Sequence, residues 1–383
     1  MAGANANLEA FDMAKRIVVK IGSSLFVDAS TGQLDRPWLE ALAEDIADLA
    51  RSGKEIVIVS SGAVALGRRE LGLDAQKARL EDNQAAAAAG QILLAHAYKE
   101  LLGQHGIKVA QVLLTLDDSE SRRRYLNAVR TLTTLIRARV VPVINENDTV
   151  ATAELRYGDN DRLAGRVAQM VSADCLVVLS DVDGLYSADP QTHPEAAHIA
   201  EVTKLEPRHF EMAGGPGSKH GSGGMRTKLE AARIAVGAGC RMVITNGHVR
   251  RPISVLKGGG RATWFVSTAT PKAARKQWIA GSLGSRGRIV VDAGAARALA
   301  EGRSLLPAGV TAVEGDFGKG DSVSVVNGTG TELARGLVAY SRAEAEAIAG
   351  KRSDEIPGIL GYRGRNEMIH RDDLVLTPTD SSQ

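Results

Sequence analysis

Five short apolar runs restrict the fold of this chain more than any other feature. Each run is rich in β-branched residues and apolar at every position; they cover residues 17–19, 56–59, 140–144, 176–179 and 242–244. A strand that is apolar on both faces is buried on both faces. Stretches with helical periodicity lie between the runs, at residues 37–51, 83–102, 121–137, 161–172 and 225–238. This alternation predicts an α/β domain over residues 1–270, with helices on both sides of a mainly parallel sheet.

The sequence changes character after this domain. Residues 271–285 combine a short helical stretch with a Gly/Ser-containing linker. From residue 286 to about residue 376, short strands alternate with glycine turns, which predicts a small β-rich domain. Residues 377–383 are expected to be a frayed tail.

Composition excludes several classes of protein. Lysine and arginine number 47 and aspartate and glutamate 45, which leaves a net charge of +2 and no bulk attraction to nucleic acid or membranes. The two cysteines, Cys175 and Cys240, provide no disulfide framework, and a reducing, cytoplasmic compartment is expected. The longest apolar tract, residues 85–97, is interrupted by Gly90 and Gln91 and is shorter than the ~18 residues of a membrane span. No signal-peptide pattern is visible at the N-terminus.

Two of the buried runs end in groups suited to binding anions. Lys20 directly follows the first run, and Gly22 lies two residues further. An ammonium and backbone N–H groups are therefore expected at a strand end, where open α/β sheets bind ligands. Ser61 and Gly62 follow the second run and open a helix, whose first N–H groups favour an anion. A solvated lysine and an ordinary serine cap remain the alternative interpretations.

Polar side chains cluster around residue 150. The third run delivers Asn145, Glu146, Asn147 and Asp148, and Gly158, Asp159, Asn160 and Asp161 precede the next helix. Helix capping explains some of these residues. Carboxylates and amides on both sides of one connection also suit a ligand that carries an ammonium group.

Two further segments suit a nucleotide: SDVDGLYSADP from Ser180 and GSGGMRTKLEAA from Gly221. Glycines in the second segment allow backbone N–H groups to approach phosphates, with Lys228 one turn into the following helix. A glycine-rich loop tip with a solvated lysine is the alternative. No Walker or dinucleotide-binding pattern, metal-ligand spacing or Ser-His-Asp arrangement is present.

The chain closely resembles the amino acid kinase family, in particular its glutamate-phosphorylating members, through six segments in the following order: VVKIGSS, IVIVSSGAVALG, VVPVINENDTVATAE, GDND, SDVDGLYSADP and GSGGMRTK. The segment from Arg286 to about Leu376 resembles the PUA domain. The resemblance implies a three-layer αβα sandwich of the amino acid kinase fold followed by a small β-rich, PUA-like domain. It also implies transfer of the γ-phosphoryl group of ATP to the side-chain carboxylate of L-glutamate, the first step of proline biosynthesis.

The resemblance also assigns roles to residues. It places Lys20 and Lys228 on the transferring phosphoryl group and gives Asp161 the role of orienting both lysines. It assigns glutamate binding to Ser61, Asp148 and Asn160. The positions that match ATP binding are Lys20, Ser180, Asp181, Ser222, Gly223, Gly224, Met225, Arg226, Thr227 and Lys228.

These roles agree with the chemistry of phosphoryl transfer. The reaction depends on positioning and on positive charge near the phosphoryl oxygens, which two lysines supply. A carboxylate acceptor has a pKa of about 4.3, so no general base is needed, and Asp161 is better interpreted as an organiser. Mg²⁺ is expected to arrive with ATP rather than in a dedicated protein cage.

Other acceptors and partners remain open. The same fold phosphorylates aspartate, N-acetylglutamate, carbamate or UMP. RNA binding by the PUA-like domain is an alternative from another class, since residues 261–288 are locally basic, but no aromatic platform accompanies these charges. The run Arg122–Arg124 is better explained by a solvated or subunit-facing helix. The resemblance further implies a homo-oligomer and feedback inhibition by proline.

Overall fold

The computed structural model describes residues 2–28, 31–74, 77–150, 160–190, 192–213, 224–280 and 285–377. They form two compact units that divide between Pro271 and Lys272.

An eight-stranded sheet forms the centre of the first unit. Its strands follow the spatial order β3-β4-β2-β1-β5-β9-β10-β8, and all neighbours run parallel except the antiparallel pair β9–β10. The strands of this unit, including the small hairpin β6–β7, are β1 Arg16–Ile21, β2 Glu55–Ser60, β3 Lys108–Leu114, β4 Val140–Glu146, β5 Cys175–Ser180, β6 Leu185–Tyr186, β7 His198–Ile199, β8 Glu201–Val202, β9 Arg241–Asn246 and β10 Ala262–Phe265. The predicted mainly parallel sheet is confirmed, and the five apolar runs lie in β1, β2, β4, β5 and β9.

Helices cover both faces of this sheet. They are α1 Ala2–Met13, α2 Arg36–Arg51, α3 Ala63–Glu70, α4 Leu80–Gln104, α5 Leu116–Glu120, α6 Arg122–Arg137, α7 Asn160–Val171, α8 Pro207–Met212, α9 Met225–Gly237 and α10 Pro252–Lys257. The predicted three-layer αβα arrangement is therefore confirmed.

Alternate residues of the strands serve the two hydrophobic cores. In β1, Ile17 and Val19 pack in one core with α2, α4 and α10, whereas Val18 packs in the other with α6, α7 and α9. Successive side chains of a strand point to opposite faces, so both cores draw on the same apolar run. This explains why the central strands lack the polar alternation of a half-exposed sheet.

Helices α3 and α4 pack with backbone against backbone. A Cβ added at Gly67 would lie 1.7 Å from the carbonyl oxygen of Ala86, and one added at Gly90 would lie 1.8 Å from that of Ala63. Both separations are far below any non-bonded contact, so glycine at these two positions permits the close crossing. The crossing fixes the start of α3 against the middle of α4.

Helix α2 anchors the loop that follows β9. The indole Nε1 of Trp38 donates to the carbonyl oxygen of Gly247 at 2.7 Å, and Oδ2 of Asp45 accepts from the backbone N–H of Ile253 at 2.8 Å. Asp45 thereby caps the N-terminus of α10 from a distant part of the sequence. The carboxyl end of β9 is held beside that of β5, where Gly247 N–H donates to the Ser180 carbonyl.

The second unit is a five-stranded sheet with its own core. Its strands follow the order β12-β11-β13-β14-β15, and its core includes Ile289, Val325 and Tyr340. Its elements, beginning with the helix at the unit boundary, are α11 Pro271–Ala280, β11 Gly287–Val291, α12 Ala293–Ala300, β12 Val310–Gly315, β13 Ser322–Asn327, β14 Glu332–Leu337, α13 Arg342–Ile348, α14 Ile356–Leu360 and β15 Leu374–Leu376. The predicted β-rich character is confirmed.

Both cysteines are packing residues of the first unit: Cys175 lies in the core that contains Ile17 and Val19, and Cys240 lies in the core that contains Val18. Cys175 lies at the start of β5 and Cys240 just before β9, and each is at most 1% exposed. Burial raises the pKa of the Cys175 thiol to about 12 and that of the Cys240 thiol well above its usual range. Within the described part of the chain, no helix has the length and apolar character needed to traverse a bilayer.

Candidate active site

The carboxyl ends of the central strands place the predicted site residues at one edge of the sheet. Lys20 lies in β1, Ser60 ends β2, Glu146 ends β4 and Ser180 ends β5. The chain leaves β1 toward β2 and leaves β5 toward β9, so strand order reverses between β1 and β5. Open α/β sheets bind ligands in the crevice at such a reversal.

Two lysines share one buried carboxylate at this crevice. Lys20 Nζ lies 2.5 Å from Asp161 Oδ1, and Lys228 Nζ lies 3.1 Å from Asp161 Oδ2. The three residues are 5%, 4% and 0% exposed for Lys20, Lys228 and Asp161. Thr227 Oγ1 also lies within 3.3 Å of Asp161 Oδ2. Residues from β1, α7 and α9 thus meet at one point.

Strand periodicity explains this meeting. Lys20 follows Val18 by two residues, so its side chain points to the face of the sheet that α7 and α9 cover. Asp161 lies in the first turn of α7 and Lys228 in the first turn of α9. Gly165 of α7 allows a close crossing, because a Cβ there would lie 3.0 Å from the carbonyl oxygen of Ala231 in α9.

The charge balance of these three groups favours an anion. Burial of Asp161 raises the pKa of its carboxyl, but the ammonium groups of Lys20 and Lys228 outweigh that effect and hold the pKa below its usual range. Asp161 is therefore ionised at neutral pH. Two ammonium groups and one carboxylate give the trio a net positive charge. Because the trio is buried, where the dielectric constant is low, this charge attracts an anion more strongly than it would in water.

A second cluster, of amides and hydroxyls, lies across the ends of β2 and β4. Asn160 Nδ2 lies 2.9 Å from Ser61 Oγ, 2.8 Å from Asn145 Oδ1 and 3.1 Å from the carbonyl oxygen of Ser60. Asn160 is the first residue of α7 and immediately precedes Asp161. The structure therefore brings two predicted glutamate-binding residues, Ser61 and Asn160, together beside the lysine–carboxylate trio.

Gly62 shapes the backbone between this cluster and α3. It is the N-cap of α3 and has φ of +105°, a conformation that side chains rarely tolerate. An added Cβ would also lie 3.1 Å from the ring of Phe26. Glycine therefore directs the N-terminus of α3, with its unpaired first N–H groups, toward the crevice edge that carries Ser61.

The predicted ATP-binding residues fall in two places. Ser180 is buried at the end of β5 and donates to the exposed Asp181 at 2.8 Å. Gly224 caps α9, followed by Met225, the exposed Arg226 and Thr227, whose hydroxyl donates to the Gly224 carbonyl at 2.7 Å. Ser222 and Gly223 lie outside the described residues. The first turn of α9, which includes Lys228, carries helix N–H groups of the kind that favour anions.

Asp148 lies in the turn after β4 and is partly exposed. It lies three residues beyond Asn145, the residue of β4 that belongs to the amide cluster. Gly158 and Asp159, which the sequence also singled out, lie outside the described residues.

Sequence reasoning missed Gln91 as a site residue. Gln91 lies in α4, is 7% exposed and accepts a hydrogen bond from Asn145 Nδ2 at 2.8 Å through its Oε1. Its only sequence signal is that Gly90 and Gln91 interrupt an alanine-rich stretch. Among the residues that the structure describes, no group of three or more His, Cys, Asp or Glu could hold a metal ion.

Comparisons with known proteins show what this chain is similar to. Residues 15–246 match the model of the amino acid kinase family, and residues 287–360 match the PUA domain. A relative from Paramagnetospirillum magneticum, named glutamate 5-kinase, is 63% identical over 95% of this chain and 98% of its own length. Proteins of the same name from Rhodospirillum rubrum and Brucella ovis are 58% and 56% identical, each over 94% of this chain and 96% of their own. A solved UMP kinase from Ureaplasma parvum aligns with 66% of this chain and 99% of its own, at 16% identity and a TM-score of 0.46.

Proposed function

This chain belongs to the amino acid kinase family, and on that premise we propose that it transfers the γ-phosphoryl group of ATP to the side-chain carboxylate of L-glutamate. The product is L-glutamyl 5-phosphate, and the reaction is the first step of proline biosynthesis. The names of the relatives, at 56–63% identity over nearly the whole chain, support this substrate.

One observation carries the chemical part of the proposal: two buried ammonium groups share the carboxylate of Asp161. A buried set of charges with a positive balance is costly to the fold unless it meets an anion. The phosphoryl group of ATP is such an anion, and negative charge on its oxygens is what the transfer must stabilise. Lys20 and Lys228 are therefore assigned to the transferring group.

The reaction requires no base from the protein. A carboxylate oxygen of glutamate attacks the γ-phosphorus and forms the new O–P bond. The bond from that phosphorus to the β,γ-bridging oxygen breaks, and its electron pair leaves with ADP. Because the acceptor is already ionised at neutral pH, Asp161 has no proton to remove and instead keeps both lysines in position.

The amide cluster is proposed to hold the amino acid end of glutamate. Asn160 directs its Nδ2 at Ser61 and Asn145, which leaves its carbonyl oxygen to accept from an ammonium group. Ser61 accepts from Asn160 and keeps its own hydroxyl hydrogen to donate to a carboxylate. Asp148, on the turn after β4, is assigned to the same substrate through its negative charge.

ATP is proposed to enter as its Mg²⁺ complex. Mg²⁺ prefers phosphate and water oxygens and keeps several waters. Ser180, Asp181 and the start of α9 are assigned to the nucleotide. Ser222 and Gly223 share this assignment on the family resemblance alone.

Regulation and assembly are proposed from the same resemblance. Proline, a smaller amino acid with the same α-carboxylate, would compete for the pocket formed by Ser61, Asp148 and Asn160. We further propose a homo-oligomer, a cytoplasmic location and a division into residues 1–270, a linker at 271–285 and a PUA-like domain at 286–376.

An acceptor panel tests the function. Purified protein with ATP and Mg²⁺ is offered L-glutamate, L-aspartate or N-acetyl-L-glutamate, and hydroxylamine traps any acyl phosphate as a hydroxamate. Release of ADP is followed in parallel, with carbamate and UMP included. We expect kcat/KM for L-glutamate to exceed every other acceptor by at least about tenfold, about 1.4 kcal/mol of discrimination.

A stronger reaction with any other acceptor would contradict the proposal. An RNA gel shift on the same preparation tests the alternative function, RNA binding by the PUA-like domain. Tight RNA binding without ADP release in the presence of glutamate would favour a binding protein instead.

A further inference from the structure

A chain of side-chain amides runs from helix α4 into the proposed amino acid pocket. Asn145 Nδ2 donates to Gln91 Oε1 at 2.8 Å, and Asn160 Nδ2 donates to Asn145 Oδ1 at 2.8 Å. Asn160 Nδ2 also lies 2.9 Å from Ser61 Oγ. Gln91, Asn145 and Asn160 are 7%, 2% and 8% exposed, so the chain is shielded from competing water.

The direction of these hydrogen bonds is fixed by one backbone group. The N–H of Glu146 lies 2.8 Å from Asn145 Oδ1, and a backbone N–H can only donate. Oδ1 of Asn145 is therefore its acceptor side, and Nδ2 must face Gln91. If the side-chain amide of Gln91 were rotated by 180°, its NH₂ group would face the NH₂ group of Asn145. Oε1 of Gln91 must therefore be the acceptor.

The same direction continues to the pocket. Because Asn145 Oδ1 is an acceptor, Asn160 presents Nδ2 to it, and the carbonyl oxygen of Asn160 remains for a ligand. Because Ser61 Oγ accepts from Asn160, its hydroxyl hydrogen remains for a ligand. The pocket thus offers one acceptor, suited to an ammonium, and one donor, suited to a carboxylate.

Gln91 bears a cost that packing alone does not explain. Its Nε2 is fully buried and has no hydrogen-bond partner within the described residues. A buried donor without a partner destabilises a fold, and an apolar residue of the same size in α4 would avoid that penalty. An apolar side chain could not supply the hydrogen-bond acceptor that Gln91 Oε1 offers to Asn145.

We propose that Gln91 is a positioning residue for the amino acid substrate, which holds Asn145 and through it Asn160 in the orientation that binds an α-amino acid. Gln91 and Lys20 lie on opposite faces of the sheet: Asn145 alternates with Val143 onto the face that α4 covers, whereas Lys20 alternates with Val18 onto the face that α7 and α9 cover. This inference rests on the proposed function, and it predicts an effect on amino acid binding without an effect on ATP.

The test is a double-mutant cycle with Gln91→Met, which keeps length and helix propensity but removes the acceptor, and Asn145→Ala. We expect Gln91→Met to raise the KM for L-glutamate about tenfold, the scale of one buried hydrogen bond, with kcat and the KM for ATP within about twofold. In the Asn145→Ala background the same change should add less than about twofold, because Gln91 acts through Asn145. Gln91→Ala is the second variant, with the same expectation, if the Met variant does not fold.

Tyr98→Phe is the matched control on the same helix. Tyr98 lies two turns from Gln91, and its hydroxyl makes a buried hydrogen bond of 2.9 Å with Ser60 Oγ, whereas Asn160 contacts Ser60 only through the backbone carbonyl. Its loss should lower the melting temperature but keep the KM for L-glutamate within about twofold.

Three outcomes would overturn the inference while leaving the proposed function intact: an unchanged KM for L-glutamate in Gln91→Met, additive effects of Gln91→Met and Asn145→Ala, or an equal rise in the KM for ATP. Failure of the wild-type protein to phosphorylate L-glutamate refutes the proposed function instead. In that event the cycle is run with the preferred acceptor, and an unchanged KM for it overturns the inference as well.

Discussion

Lys20 and Asp161 form a buried ion pair with 2.5 Å between Nζ and Oδ1, and the second oxygen of the same carboxylate contacts Lys228. A carboxylate with an ammonium on each oxygen cannot rotate without breaking one of the contacts. The pair therefore fixes the positions of both ammonium groups relative to each other before any substrate arrives, which is the preorganisation that phosphoryl transfer requires.

Replacing either lysine should affect the chemical step. Lys20→Met and Lys228→Met are each expected to lower kcat by at least about 10²-fold, the scale for one preorganised charged donor, with smaller changes in the Michaelis constants. Steady-state kinetics with varied ATP and glutamate measure both. Lys77→Met, at a lysine whose side chain is 87% exposed, is the control and should leave kcat unchanged. Near-normal turnover in either active-site variant would remove that lysine from the mechanism.

Asp161→Asn should reduce both activity and stability at neutral pH. The variant leaves two neighbouring buried ammonium groups without their shared countercharge, and losing one partner of a buried pair costs about 3–5 kcal/mol.

The stability difference should depend on pH with a defined sign. Because the pKa of Asp161 in the folded protein is lowered, its contribution is complete above the unfolded carboxyl value of about 3.9 and is lost as pH falls through the lower folded value. Urea unfolding of wild type and variant at pH 7, 5 and 3 measures this. A gap that is constant over the whole range would contradict the assigned charge state.

Asp148→Ala and Asn160→Ala should weaken glutamate binding. We expect the KM for glutamate to rise by about one to two decades, since a hydrogen bond to a charged ligand group contributes about 1.5–3 kcal/mol, whereas the KM for ATP stays nearly constant. Two-substrate kinetics separate the constants. Equal losses for both substrates would argue against the division of the crevice proposed above.

The close crossing of α3 and α4 predicts opposite effects for two glycines of one helix. Gly90→Ala would place a Cβ 1.8 Å from the Ala63 carbonyl oxygen and should destabilise the protein by at least about 3 kcal/mol. Gly103→Ala, where nothing lies within 4 Å of an added Cβ, should be neutral or stabilising by up to about 1 kcal/mol. Thermal unfolding of both variants tests this pair, and similar melting temperatures would refute the crossing.

Truncation after Pro271 should leave an active kinase. The two cores of the first unit draw on residues between Phe11 and Phe265, and the core of the second on residues between Ile289 and Leu374. Every described residue assigned to ATP or glutamate precedes the truncation. Full-length and truncated proteins are compared by circular dichroism, glutamate kinetics and proline inhibition. A folded but inactive truncated protein would show that the second unit contributes to catalysis.

The sequence predicts buried parts of this fold better than its edges. Runs such as residues 176–179 are apolar throughout because both faces are covered, and this pattern is local and visible. The edge strand β3, at Lys108–Leu114, is only partly buried and carries Gln111, so it lacks that pattern. The short strands β8 and β10 join the sheet through pairing with distant residues, which no local signal records.

The same distinction applies to the site. Lys20 and Ser180 directly follow apolar runs, and Ser61 lies one residue further from its run, so the strand-end rule finds all three from sequence. Gln91 has no such position, because its contact with Asn145 depends on strand periodicity in β4 and on the place where α4 crosses the sheet. A contact of that kind cannot be predicted from local sequence, because it forms only when the helix packs on the sheet.

The burial of both cysteines makes the protein a convenient host for chemical labels. Only the thiolate reacts with maleimides and methanethiosulfonates, and with a pKa near 12 for Cys175 and one well above the usual range for Cys240, neither forms it appreciably at neutral pH. A cysteine introduced at Ile92, which is 71% exposed on the helix that carries Gln91, would then be the single reactive thiol. A fluorophore or spin label could be attached there without first removing a native cysteine, and its signal would follow α4 while substrates bind.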